Sequence, residues 1–245
     1  MYTHPSPNVA IGPSRSDCVA TTATVAGIAD IPQISYWATA TTLDDLSLYP
    51  RFMRTIPPDD APAAALCAFW KYELGLESAG IIYMQDTWGK AFRDGTVSAC
   101  GALGMTTYDF KFETASASSI ADAVADLAAT GVKVACIAAM GSQDLGMITS
   151  EALANGMLGD DGTSWSWAST DAIAPSDIAS LDQELQDALL GMIMLKAVGA
   201  LDDNELWTSF AQQRFPSLDV ASFNVDLPAE WQVGCPLRPR MHPAL

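Results

Sequence analysis

Short apolar runs alternate with helix-like stretches along most of this chain, and no other feature limits its fold so strongly. Residues 79–84 and 132–138 are apolar runs interrupted only by Gly80 and Lys133. Strands of that make-up are buried on both faces, as in parallel sheets. Stretches with helical spacing follow them. Residues 87–103 stop at Gly104, and 116–130 stop at Gly131 with Ile120, Val124 and Leu127 on one stripe. Such alternation builds parallel sheets covered by helices, so the expected class is α/β.

The same reading extends in both directions. Residues 9–11 form a short strand broken by Gly12-Pro13, and Ser14 to Asp17 offer caps for an alanine-rich helix to Ile28. Pro32 opens another strand, residues 49–55 read as extended, and Pro57-Pro58-Asp59-Asp60 reads as a break plus a cap. A helix is expected over 61–74 with Gly75 as its stop. Further expectations are a strand at 106–110, a helix at 143–153, strands at 165–169 and 189–195, and a helix at 203–215.

With 245 residues, 49% of them hydrophobic, the chain can bury the core of one or two domains. Its net charge of −17 argues against nucleic-acid binding and against docking on anionic lipid. No run of roughly 18 apolar residues exists to span a membrane, and residues 1–7 lack the basic-then-apolar order of a signal peptide. As written, the chain reads as soluble and without an address. Five cysteines occur with no C-x-x-C pair, and the two histidines, His4 and His242, stand in opposite tails. Neither a metal centre nor any cofactor is therefore expected. Cys18, Cys67, Cys100 and Cys136 read first as small apolar core residues, although a disulfide or two is permitted.

Four places put polar or aromatic groups just after an expected strand, where α/β sheets bind ligands. In Gly12-Pro13-Ser14-Arg15-Ser16-Asp17, Ser14 or Ser16 could help a helix N-terminus hold a carboxylate, or merely cap that helix. In Ser35-Tyr36-Trp37-Ala38-Thr39, Thr39 offers a hydroxyl, the Ala38 stretch offers backbone carbonyls, and Trp37 is either cleft wall or core. Trp88, in Asp86-Thr87-Trp88-Gly89, either covers a ligand or packs on its own helix. Asp171, in Ser169-Thr170-Asp171, either accepts from an amine or is a turn aspartate.

These motifs, with Leu43-x-Asp45 and the segment from Tyr49-Pro50-Arg51 to Thr55, resemble the type I periplasmic-binding-protein-like, or Venus flytrap, ligand-binding domain of receptors. That family includes class C G-protein-coupled receptors of the GABA-B and metabotropic-glutamate kinds and natriuretic-peptide receptors. The resemblance runs from about Val9 to Phe215. It implies two lobes: residues 8–56 as a fragment of lobe I, 57–193 as lobe II, and 194–245 as a return to lobe I with a tail. It also implies that Ser14 and Ser16 face a carboxylate, that Thr39 meets an α-amino group, and that Trp88 and Asp171 close over the ligand. Arg15, Asp17, Trp88 and Ala172 depart from the family's usual residues. Relative to that family the chain looks short at both ends, so an apolar face or open sheet edge is expected to be exposed.

The functional expectation is a small-molecule, amino-acid-like ligand-binding region of a cell-surface receptor, outside the plasma membrane and signalling by hinge closure. Its partners would be the receptor's transmembrane and signalling region and a second, like or unlike, lobe I. A transporter's solute-binding protein is the alternative within the fold. A small α/β enzyme is the rival from another class, although G-x-G-x-x-G, G-x-x-x-x-G-K-[ST], G-x-S-x-G and H-E-x-x-H are all missing. Carboxylate pairs such as Asp44/Asp45 and Asp160/Asp161 read as solvated turns.

Overall fold

A computed structural model describes residues 7–158 and 165–195. The expected helix at 203–215, the Asp160/Asp161 pair, Cys235 and both histidines lie outside the described residues.

Two parallel sheets carry the architecture. The first has three strands in the order β1-β2-β3: β1 (Ala10–Ile11), β2 (Gln33–Ser35) and β3 (Phe52–Arg54). Helix α1 (Ser16–Ile28) makes the crossover from β1 to β2 and packs Val19 and Ala23 into a small core with Leu43 and Phe52. Gln33 locks this layer together, donating from its amide to the Gly12 carbonyl at 2.9 Å and to the Thr22 hydroxyl at 2.8 Å. On the opposite face, Ile11, Ile34 and Met53 are register neighbours. Ile11 is 78% and Met53 49% exposed, so an apolar row on that face is open to solvent.

The second sheet has five strands in the order β5-β4-β6-β7-β8. The chain enters it through α2 (Asp60–Ala68), which runs on as a wider π turn over Phe69–Glu73. Then come β4 (Ser78–Met84), α3 (Thr87–Ala102), β5 (Thr106–Phe112), α4 (Ala117–Ala129), β6 (Val134–Ala138), α5 (Gly141–Ala154) and β7 (Ser166–Ser169). Two short helices, α6 (Pro175–Ala179) and α7 (Gln183–Ala188), precede β8 (Ile193–Met194). All registered strand pairs are parallel. β4 and β6 are buried almost throughout, and Ile81, Ile82, Ile137, Leu127 and Ile148 fill the core between sheet and helices. The α/β class of parallel sheets flanked by helices holds.

Three expectations need correction. The strand at 189–195 shrinks to Ile193–Met194, because Gly191 at φ +93° turns the chain just before it. Cys67 and Cys100 are not two separate core thiols; they form a disulfide that ties α2 to α3. Cys18 is exposed on the outer side of α1, and of the described thiols only Cys136 is a buried free one.

Candidate functional site

The loop after β2 is built before any ligand arrives. Ser35 Oγ donates to the Pro13 carbonyl at 2.8 Å and accepts from the Ala38 amide at 3.0 Å, binding the Gly-Pro loop to the Tyr36–Ala40 turn. Gly12 sits at φ +87° there, a conformation open to glycine. Arg54, from β3, donates to the Ala38 and Ala40 carbonyls at 3.3 and 3.0 Å and pairs with the Asp44 carboxylate. Thr39 is thereby held between two fixed residues.

The strap from β3 to α2 returns to this loop. Pro57 and Pro58 keep it extended, and the Asp59 amide donates to the Thr39 carbonyl at 3.0 Å. Asp59 precedes α2 as its N-cap residue, yet its side chain caps nothing. It is only 4% exposed, and its Oδ2 has no hydrogen-bond partner. Burial lifts its pKa from 3.8 to about 7; the Thr39 hydroxyl and Trp88 indole favour the charged form, while the charge of Asp171 opposes it. Burial also raises Asp171.

A cavity of roughly 230 Å³ opens between the two sheets at this point. Thr39, Asp59, Thr170 and Asp171 supply its polar lining, and Ile56, Pro57, Ala65, Phe92 and Leu195 are among its apolar walls. Among the described residues, no Lys, Arg or His lines it.

Of the expected site residues, Thr39 and Asp171 line the cavity directly. Trp88 is buried behind it, its ring centroid 6.4 Å from that of Phe92 and its indole against Asp59. Ser16 is buried, and its Oγ accepts from the Ala40 amide at 3.3 Å, one residue beyond Thr39. Ala38 is fully buried in the loop. Ser14 is half-buried and Trp37 exposed, and neither lines the cavity. Asp59 is the residue that sequence reading overlooked. Its type and position fit a cap, and only the two prolines before it hint that it belongs to a crossing strap.

A second set of contacts joins the sheets where α1 and α3 begin. Arg15 pairs with Asp86 at 2.9 Å, and the Thr87 amide donates to Asp17 Oδ1 at 2.9 Å. Asp86 Oδ1 in turn caps α3 by accepting from the Gly89 amide at 2.6 Å. Burial alone would raise Asp17, but the Thr87 hydroxyl, the Thr87 amide and Arg15 outweigh it and bring its pKa below the usual range. Asp86 is raised by burial.

Parallel sheets joined by an extended strap, with a polar-floored cavity at the joint, define a periplasmic-binding-protein-like ligand-binding module of type I. The profile described as "Receptor family ligand binding region" matches residues 1–203, and the chain belongs to that family. It is 44% identical over 61 residues to "G-protein coupled receptor family C group 6 member A" of Carassius auratus, covering 25% of this chain and 7% of that receptor. It is 29% identical over 99 residues to "Metabotropic glutamate receptor-like protein E" of Dictyostelium discoideum, covering 40% of this chain and 12% of that one. The matches thus span a small part of either relative. Both are receptors by name. Among the described residues no helix is long and apolar enough to cross a membrane.

Proposed function

We propose that this chain is the part of a cell-surface receptor that closes around a small ligand carrying an ammonium group, as amino acids and simpler amines do. The observation that carries this reading is Asp59: a buried carboxylate with an unpartnered oxygen, beside the Thr39 hydroxyl and facing Asp171 across a cavity. Leaving such a group unsatisfied is costly, and an ammonium ion supplies the missing donors and charge.

The first sheet with its loop acts as one lobe, and the second sheet as the other. Thr39 belongs to the first and Asp171 to the second, so a ligand that touches both binds the closed form better and shifts the population toward it. The contacts of Arg15 with Asp86 and of Asp17 with Thr87 are of the kind that closure makes and opening breaks. The Cys67–Cys100 disulfide favours an oxidising compartment, in keeping with an extracellular module.

A thermal-shift screen of amino acids and primary amines tests this reading. At least one is expected to raise the melting temperature, with the shift lost in Thr39→Val. An equal shift in that variant would place the ligand elsewhere.

A further inference from the structure

We propose that the outer edge of β5 is a docking surface for the same edge of a second copy of this chain, the two strands running antiparallel about a two-fold axis at Phe110. This contact lies outside the cavity and does not depend on what the cavity binds.

β5 ends the five-stranded sheet and is registered with β4 over all seven of its residues, without a bulge, proline or glycine. Its backbone polarity follows from two hydrogen bonds. The Thr106 amide donates to the Glu77 carbonyl at 2.9 Å, and the Phe112 carbonyl accepts from the Gln85 amide at 2.8 Å. Even-numbered residues therefore turn their N–H and C=O groups toward β4, and Thr107, Asp109 and Lys111 turn theirs outward. Among the described residues, those outward groups have no backbone partner. The free row stops at Glu113, whose amide takes the Ser119 hydroxyl and whose carbonyl takes the Ser116 amide. An edge of this length is a template for another strand.

Charge selects the occupant and its register. Two copies related by a two-fold axis perpendicular to the sheet meet antiparallel, and outward-facing residues must oppose one another. Centred on Asp109, the pairing sets that carboxylate against its own copy. Centred on Lys111, it sets two ammonium groups together. Centred on Tyr108, it faces Asp109 with Thr107 and leaves Lys111 beyond the paired residues. Centred on Phe110, it sets Asp109 opposite the second copy's Lys111 twice, each time as the closely bonded pair that exchanges both backbone hydrogen bonds.

The side chains suit that register. Lys111 is exposed and, among the described residues, forms no ion pair. Asp109 is held in place by Arg93 at 3.4 Å and is still 30% exposed. On the other face of the strand the partly buried Phe110 meets its own copy, with Tyr108, 39% exposed, beside it. A lysine on an edge ordinarily repels other strands; here the aspartate two positions away makes the same edge complementary to itself. The contact is small, so the association is weak and reversible.

Sedimentation equilibrium of the 245-residue chain over about 1 µM to 1 mM tests this. A monomer–dimer equilibrium is expected, with the Asp109 and Lys111 amides gaining protection from hydrogen exchange in step with the dimer. Lys111→Asp and Asp109→Lys each bring like charges together and are each expected to weaken self-association at least about tenfold. Mixed in equal amounts, the two variants again oppose unlike charges in every pair, so the mixture is expected to recover association. A chain monomeric throughout, a dimer that both reversals leave intact, or a mixture as weak as its components overturns the proposal. Protection at Asp109 and Lys111 that does not change with concentration overturns it without any variant, so a failure of Asp109→Lys to fold beside Arg93 leaves the test decisive.

Discussion

Asp59 gives its backbone N–H to the Thr39 carbonyl at 3.0 Å, and the Thr39 hydroxyl acts back on the Asp59 carboxylate. One pair of residues thereby couples the loop after β2 to the strap that leaves the first sheet for the second. Movement of one sheet against the other must strain or break this pair. In the function proposed above, the ligand-sensing group and the moving joint would be the same residues.

The buried carboxylate has a consequence for pH. Folded protein holds the Asp59 proton up to about pH 7, whereas the unfolded chain releases it near 3.8. Between those values unfolding releases a proton, so stability falls as pH rises through the window and levels off above it. The swing is on the order of 4 kcal/mol. Asp171 and Asp86, also raised by burial, act in the same direction. Asp59→Asn has nothing to titrate there, so its urea midpoint should change less between about pH 4.5 and about pH 8. Parallel curves for the two chains would contradict this.

Arg54 holds the Thr39 loop from below, with its side chain only 8% exposed. Arg54→Met keeps the hydrocarbon stem and removes the donors, leaving the Ala38 and Ala40 carbonyls without them. A loss of about 1–3 kcal/mol is expected, together with faster amide exchange at Ala38 and Ala40. Unchanged exchange would show that Ser35 alone suffices to hold the loop.

Gly89 lies where the first turn of α3 presses on the end of β4. A Cβ there would run into the Met84 backbone carbonyl, which cannot swing aside as a side chain can. Gly89→Ala should cost about 1–3 kcal/mol, read as a lowered denaturation midpoint. A neutral result would mean that α3 slides freely along the sheet.

The Cys67–Cys100 disulfide, whose ends lie 33 positions apart in the sequence, restricts the unfolded chain. Replacing both cysteines with serine should lower stability by roughly 2–4 kcal/mol. In the folded protein an alkylating reagent should modify Cys18 and spare the buried Cys136. Modification of Cys136 before unfolding would contradict its burial.

The pattern of elements was legible because the apolar runs of β4 and β6 and the stripe on α4 have clear periods. Thr39 and Asp171 were legible as groups following strands. Short helices α6 and α7 were missed, since five and six residues leave too little periodicity to read. Asp59 was missed for a different reason: an aspartate ahead of a helix has a local role in capping, and this one gives that role up for a tertiary one. Cysteine pairing was unreadable because Cys67 and Cys100 meet only once α2 has packed on α3.

Carbon-detected NMR titration of the Asp59 carboxyl, with and without isopentylamine, tests the central claim most directly. The empty protein should show a midpoint near 7, and saturating amine should move that midpoint down as the ammonium favours the charged form. A midpoint near 3.8 in the empty protein, or one that the amine leaves in place, would contradict the account.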